Sequence, residues 1–339
     1  MASRLPARIA FGVALAAFAF GPPTLAGAPL PASGAASLHL AKVASYHLPE
    51  GRYGTAVVAN GDDLYIIGGS NDAGTPLDDI LRFNGATGKT ETIGRLEIAR
   101  RYHRAVLAGQ RIYVLGGNSA RLPGSINVFE DTVEVIDLAT RKVTFAANLP
   151  EAKAHFGCAL LDGRIYVLGG EVIRGRNVSC SNSTEIYDIA ANRWAKGANL
   201  PRPAEGVATV VESSIVMAGG FSGLAQLDDV MVYNPRANAW GMLPKLCQPV
   251  SAHALVFLDH YLLLIGDFNE KADLVAYDLN DRSSALFELK DDVGWHTAAA
   301  VSQGRIYVVG GAAWHSRSAL DDIQVFELAK PAARVTANP

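Results

Sequence analysis

The stretch Arg164 to Pro201 reads RIYVLGGEVIRGRNVSCSNSTEIYDIAANRWAKGANLP. It holds an apolar run closing on two glycines, a polar loop, a short alternating segment and a second alternating segment carrying Trp194. The same order recurs along the chain. The apolar runs are LYIIGG ending at Gly69, IYVLGG at Gly117 and Gly170, IVMAGG at Gly220, a degraded LLLIGD at Asp267 and IYVVGG at Gly311. The intervals are 48, 53, 50, 47 and 44 residues, a period that marks a repeat architecture. A further apolar segment precedes each run, as in TAVVANG (55–61) and RAVLAGQ (104–110). After each run comes a loop and then a short strand entered by Asp or Thr, as in DDILRF (78–83) and DDVMVY (228–233). Each unit therefore predicts four short strands of period two. One such sheet cannot bury both faces alone, and radial stacking of six lets each cover the next.

The sixth repeat lacks a fourth segment after Phe326, whereas LAKVASYHLP (Leu40–Pro49) copies the fourth-segment pattern of RKVTFAANLP (141–150). The N-terminal segment is expected to pair as the outer strand of the last sheet and close the ring, which leaves no open edge. The expected class is all-β: a six-bladed propeller over residues 38–328, with four antiparallel strands per blade.

Upstream, Arg4 and Arg8 precede an apolar stretch, Ile9–Phe20, and a small-residue site ending at Ala26. This is the pattern of a secretory signal peptide over residues 1–26, followed by a linker at 27–37; a tail is expected at 329–339. Twelve apolar residues are too few to cross about 30 Å of hydrocarbon, so an exported product without membrane insertion is expected, periplasmic or extracellular. A formal charge of −3 and the absence of a basic, aromatic-interleaved run argue against nucleic acid. Cys158, Cys180 and Cys247 form neither a CxxC pair nor an even disulfide framework. Cys158 lies in an apolar pattern and reads as a buried small hydrophobe, and Cys180 and Cys247, a whole blade apart, are not expected to meet. No cofactor is expected, and a monomer is.

The glycine pairs, the D-x-V-x-V-(Y/F) strand openings, and Trp194 and Trp240 in fourth segments are similar to the kelch superfamily. That resemblance implies a six-bladed propeller and leaves function open, since one fold hosts many functions. Export, blade count and size also resemble the bacterial N-acetylneuraminate epimerase family, which implies anomer exchange on an acidic sugar through a Glu and an Arg; the long insertion of a central blade there is missing here. Glu288, Asp292 and His296 have the E-x-x-x-D-x-x-x-H spacing of the plant specifier proteins' iron site. Here the triplet precedes strand 1 of repeat six rather than following a glycine pair, so no metal is assigned to it.

Strand alternation places the start of strand 1 and the strand 2–3 connection at one end of each blade. Aligning backward from the glycine pairs, with one insertion in repeat one, puts Arg52-Tyr53, Arg101-Tyr102, Ala154-His155, Ala204-Glu205, Ser251-Ala252 and Trp295-His296 there. Asn118, Glu171 and Trp314 join them from the connections. Arginine forks suit carboxylates, aromatic faces suit apolar ring surfaces, and a Glu with a His can exchange protons. The candidate ligand-binding set is Arg52, Tyr53, Arg101, Tyr102, Asn118, His155, Glu171, Trp295 and Trp314. Glu205, Arg101 and His296 are the candidate catalytic set. The partner is read as a protein or a small polar or anionic ligand such as a sugar acid. The leading reading is a binding module; the alternative is a mutarotase or epimerase acting on an acidic sugar.

Overall fold

The computed structural model describes residues 38, 40–119, 128–269, 274–289 and 293–328. The expected signal peptide, linker and tail, and Asp292, lie outside the described residues. Strand β1 (Leu40–His47) precedes blade one, which holds β2 (Ala56–Asn60), β3 (Asp63–Ile67), β4 (Asp79–Asn84) and β5 (Lys89–Arg95). Blade two holds β6 (Arg104–Ala108), β7 (Arg111–Leu115), β8 (Val133–Asp137) and β9 (Val143–Phe145). Blade three comprises β10 (Gly157–Leu161), β11 (Arg164–Leu168), β14 (Thr184–Asp188) and β15 (Arg193–Lys196), with a hairpin of β12 (Glu171–Arg174) and β13 (Asn177–Cys180) standing on it. Blade four runs β16 (Ala208–Val211), β17 (Ser214–Ala218), β18 (Val230–Asn234) and β19 (Ala239–Leu243). Blade five runs β20 (Ala254–Leu258), β21 (Tyr261–Ile265), β22 (Leu274–Asp278) and β23 (Ser284–Phe287). Blade six is β24 (Ala298–Ser302), β25 (Arg305–Val309) and β26 (Asp322–Leu328), with β1 as its outer strand.

The expected closure is therefore present. β1 pairs antiparallel with β26 from Leu40↔Leu328 to His47↔Asp322, with one bulge between Lys42 and Ala44. The first strands β2, β6, β10, β16, β20 and β24 neighbour one another in a closed circle around the axis.

Period-two alternation sends successive side chains to opposite faces, so each strand feeds two interfaces. In β3, Leu64 and Ile66 enter the core shared with blade six, while Tyr65 and Ile67 enter the core shared with blade two. Six apolar clusters result, one between each pair of adjacent blades. Two fourth-strand tryptophans fasten blades to their predecessors: Trp194 Nε1 donates to Ala147 O and Trp240 Nε1 to Ala198 O, both at 2.9 Å. Cys158 is buried in one of these cores, as expected, and all three cysteines are free.

Buried ion pairs tie the approach to strand 1 to the start of strand 3 in the first three blades. Arg52 meets Asp79 at 2.9 and 3.0 Å, Arg100 meets Glu134 at 2.5 Å, and Lys153 meets Glu185 at 2.9 Å. Position by position, Arg52 thus matches Arg100 and Lys153.

Candidate site at the channel mouth

The mouth of the channel is built by backbone first. Gly54, Tyr102, His155, Gly206, Ala252 and His296 occupy equivalent places where each chain turns into its first strand. Tyr102 N donates to Gly54 O at 2.7 Å, His155 N to Tyr102 O at 3.0 Å, and Gly206 N to His155 O at 2.9 Å. His296 N donates to Ala252 O at 2.6 Å and Gly54 N to His296 O at 2.9 Å. Tyr102, His155, Ala252 and His296 hold left-handed φ of 52–56° in this ring. Non-glycine residues rarely do so, and such strain collects at functional sites.

Because three ring positions are Gly, Gly and Ala, the other three side chains have room to lie across the axis. Tyr102 and His155 stack with centroids 4.0 Å apart and planes 28° apart. His296 closes the group at 4.8 Å from Tyr102 and 5.3 Å from His155. Trp295 extends it outward, 4.8 Å from His296 and edge-on to Phe268 at 5.2 Å. Just beneath the rings, the cavity leaves about 30 Å³ for a water-sized group, too little for a sugar ring. A wider stretch of about 120 Å³ follows, and Arg104 lines both. Arg104 donates to Phe156 O at 2.9 Å and Gly206 O at 3.2 Å, and has no carboxylate partner among the described residues.

One side of the mouth is acidic. Glu171 follows the glycine pair of blade three, and Glu205 bridges Phe221 in blade four. His155 lies between them, with Nε2 3.9 Å from Glu171 Oε2 and Nδ1 3.9 Å from Glu205 Oε2. One oxygen of each carboxyl lies within 4.8 Å of the other. Burial, then the Glu171 charge, pushes Glu205 up to about 8, and burial raises Glu171 as well. Burial holds His155 well below the usual imidazole range, and His296 down to about 3. A close backbone approach holds Glu205 in place: Gly220 has φ 109°, and a Cβ there would sit 2.1 Å from Glu205 O.

The other side is cationic. Arg101 Nη1 donates to Tyr53 OH at 3.2 Å, and its guanidinium lies 5.2 Å from the Tyr102 ring centre. Tyr53 is 6.2 Å from Tyr102, ring to ring.

Of the residues singled out from sequence, Tyr53, Arg101, Tyr102, His155, Glu171, Glu205, Trp295 and His296 meet at this mouth. Arg52 does not: it is fully buried between blades, bound to Asp79 and to Gly68 O at 3.1 Å. Counting back from the glycine pairs slipped by one residue in repeats one and four, so Arg52 stood in for Tyr53, and Ala204 for Glu205. Asn118 is buried in a backbone bridge with Arg101. Trp314 turns its indole nitrogen to Val293 O at 3.2 Å. Sequence reading missed Arg104 and Phe268. Phe268 has a legible cause, the loss of the second glycine. In blade five the Asp267 carboxylate, instead of a backbone carbonyl, accepts from Ser251 N at 3.1 Å, and Phe268 follows at the bridge position.

At the mouth end, the strand 2–3 connections of blades two to five present apolar side chains to solvent. Val128, the cross-strand pair Ile173 and Val178, Leu224 and Phe268 are exposed there; Leu224 is 94% and Phe268 54% exposed. The other exposed large apolar residues, Val43, Phe145, Met242 and Leu286, lie on outer strands.

Along its sequence the chain is similar to known proteins. The family profile KLHDC2/KLHL20/DRC7 Kelch-repeats domain matches residues 37–195 and 88–267. Beta-scruin of Limulus polyphemus is 24% identical over 250 residues, 67% of this chain and 26% of that protein. Kelch-like protein 36 of Mus musculus is 30% identical over 165 residues, 48% of this chain and 27% of its own length. Kelch-like protein terF of Aspergillus terreus is 27% identical over 239 residues, 65% of this chain and 51% of its length. The matched stretch thus spans about a quarter to a half of these relatives.

Proposed function

The chain belongs to the kelch-repeat family, and from that premise we propose that it is a protein-binding propeller whose docking face is the channel-mouth end. The observation that carries the reading is the apolar rim on blades two to five. Exposed apolar side chains scattered singly need no explanation, but a set gathered beside one rigid polar centre has the anatomy of a recognition face. Rim residues on connections, held by a stiff ring of blades, provide contact area without deforming the fold. The aromatic group of Tyr102, His155, His296 and Trp295 offers a central anchor surface, and Arg101 with the Glu171–Glu205 pair gives it polarity. Expected from the leader-like segment, export remains part of this proposal.

Affinity capture from the source organism's own extract, read by quantitative mass spectrometry with three baits, tests the reading. A partner is expected on the wild type, lost from Leu224→Asp/Phe268→Asp, and retained by Val43→Asp/Leu286→Asp. A partner retained by the rim variant and lost from the outer-strand variant overturns it.

A second reading keeps a sugar acid as ligand and, with it, anomer exchange. It rests on Glu205, held protonated near neutrality beside His155, with Arg101 across the mouth as carboxylate fork. The narrow space under the rings confines such a ligand to the outer surface of the aromatic group. A thermal-shift screen with N-acetylneuraminate and neutral sugars separates the readings: a ligand at 100 times its Kd adds about 2.7 kcal/mol, and a shift for acidic sugars alone favours the second.

A further inference from the structure

The acidic side of the mouth, which the partner reading uses for contact and polarity, is also a set of metal-donor side chains. His155, Glu171 and Glu205 come from three separate segments, and one ligand atom from each lies within 4.8 Å of the other two. All three are part-buried, so the set is not a solvated acidic patch. Neither ring nitrogen of His155 has a hydrogen-bond partner among the described residues; Nε2 lies 3.9 Å from a Glu171 carboxylate oxygen and Nδ1 3.9 Å from a Glu205 one.

The imidazole is also held still. Its ring stacks on Tyr102, and its backbone is bonded on both sides within the mouth ring, through His155 N to Tyr102 O and Gly206 N to His155 O. Ligating groups fixed in this way bind without loss of side-chain freedom. Bonds of about 2.0–2.2 Å to a tetrahedral ion place ligand atoms roughly 3.4 Å apart, so a set whose atoms lie within 4.8 Å of one another closes around an ion by side-chain shifts of up to about an ångström. Two carboxylates and one neutral imidazole balance a divalent charge.

We propose that His155, Glu171 and Glu205 form a binding site for one borderline divalent metal ion, of the zinc or cobalt class, at the channel mouth. Three protein ligands leave at least one position for water or for a ligand oxygen. The imidazole selects against calcium and magnesium, which take oxygen donors. The site stands apart from the partner reading, since its test uses no partner.

The test titrates chelator-stripped, full-length protein with Zn²⁺ by calorimetry and with Co²⁺ by visible absorption. One equivalent is expected to bind, unaffected by excess Mg²⁺. Glu171→Gln and His155→Asn are each expected to weaken binding at least about tenfold, as loss of groups that merely support ligands already does; asparagine tolerates the left-handed backbone of position 155. Two controls are expected to change nothing: Asp321→Asn, in the largely exposed trio His47, Asp321 and Asp322 on blade six, and Cys247→Ser, at the exposed cysteine before blade five. If His155→Asn fails to fold, Glu171→Gln decides, because its side chain lies outside the mouth ring. Absence of a stoichiometric site, unchanged binding in Glu171→Gln, or loss of binding in either control overturns the proposal.

Discussion

Removing residues 38–48 takes away the strand that closes the ring, and the structure gives its weight. Leu38 and Leu48 are 7% and 4% exposed and belong to the two cores on either side of blade six. Burial of two leucines contributes about 3–6 kcal/mol together. Tyr46 packs on Phe83 with centroids 5.0 Å apart, a contact of about 0.5–1.5 kcal/mol. Leu48 N also donates to Asp321 O at 2.7 Å, and the ladder from Leu40 to His47 is lost with it. Side chains alone thus approach about 5 kcal/mol, against a total stability of about 5–15 kcal/mol for a domain. The truncated protein is expected to lose its cooperative urea transition, followed by far-UV circular dichroism, or to show a midpoint lowered by most of its value. A synthetic peptide of residues 38–48 in excess is expected to restore it. A truncated protein that unfolds cooperatively at the wild-type midpoint refutes the closure argument.

Three further outcomes follow from the buried polar groups. Arg100→Met leaves Glu134 buried without its cation and is expected to cost about 3–5 kcal/mol, while Arg100→Met/Glu134→Leu regains most of that; equal losses in both variants would contradict the pairing. His253, buried with Nε2 3.0 Å from Ala218 O, is pushed down by burial to about 4. Its unfolded form takes up a proton below about pH 6.5 and its folded form does not, so stability is expected to fall from pH 6.5 towards 4 by up to about 1.4 kcal/mol per unit; melting of His253→Gln is expected to show a shallower acid slope. Gly220→Ala forces a Cβ against Glu205 O at a left-handed φ and is expected to destabilise by at least about 1 kcal/mol, whereas Gly241→Ala, with nothing within 4 Å, is expected to be near neutral.

The glycine-pair period made the six blades readable because backbone crowding repeats with the fold. The fourth-segment likeness of Leu40–Pro49 revealed the ring closure for the same reason. The site was less readable. Which residue turns over the channel edge depends on a one-residue register, and the turn into strand 1 is not the same length in every blade, so the insertion assumed in repeat one puts Arg52 in the place that Tyr53 occupies. The rim was not readable at all. Val128, Ile173, Leu224 and Phe268 are single apolar residues in polar loops, far apart in sequence, and only the ring brings them to one end.

The most direct test of the docking face is hydrogen–deuterium exchange of the propeller, free and bound to its captured partner. Slowed exchange is expected on binding at Asn71–Thr75, at β12 and β13, at Ser222–Gln226 and at Phe268–Asn269, with the outer strands unchanged. Protection confined to outer strands such as β5, β15 and β19, with those connections unaffected, would contradict the account.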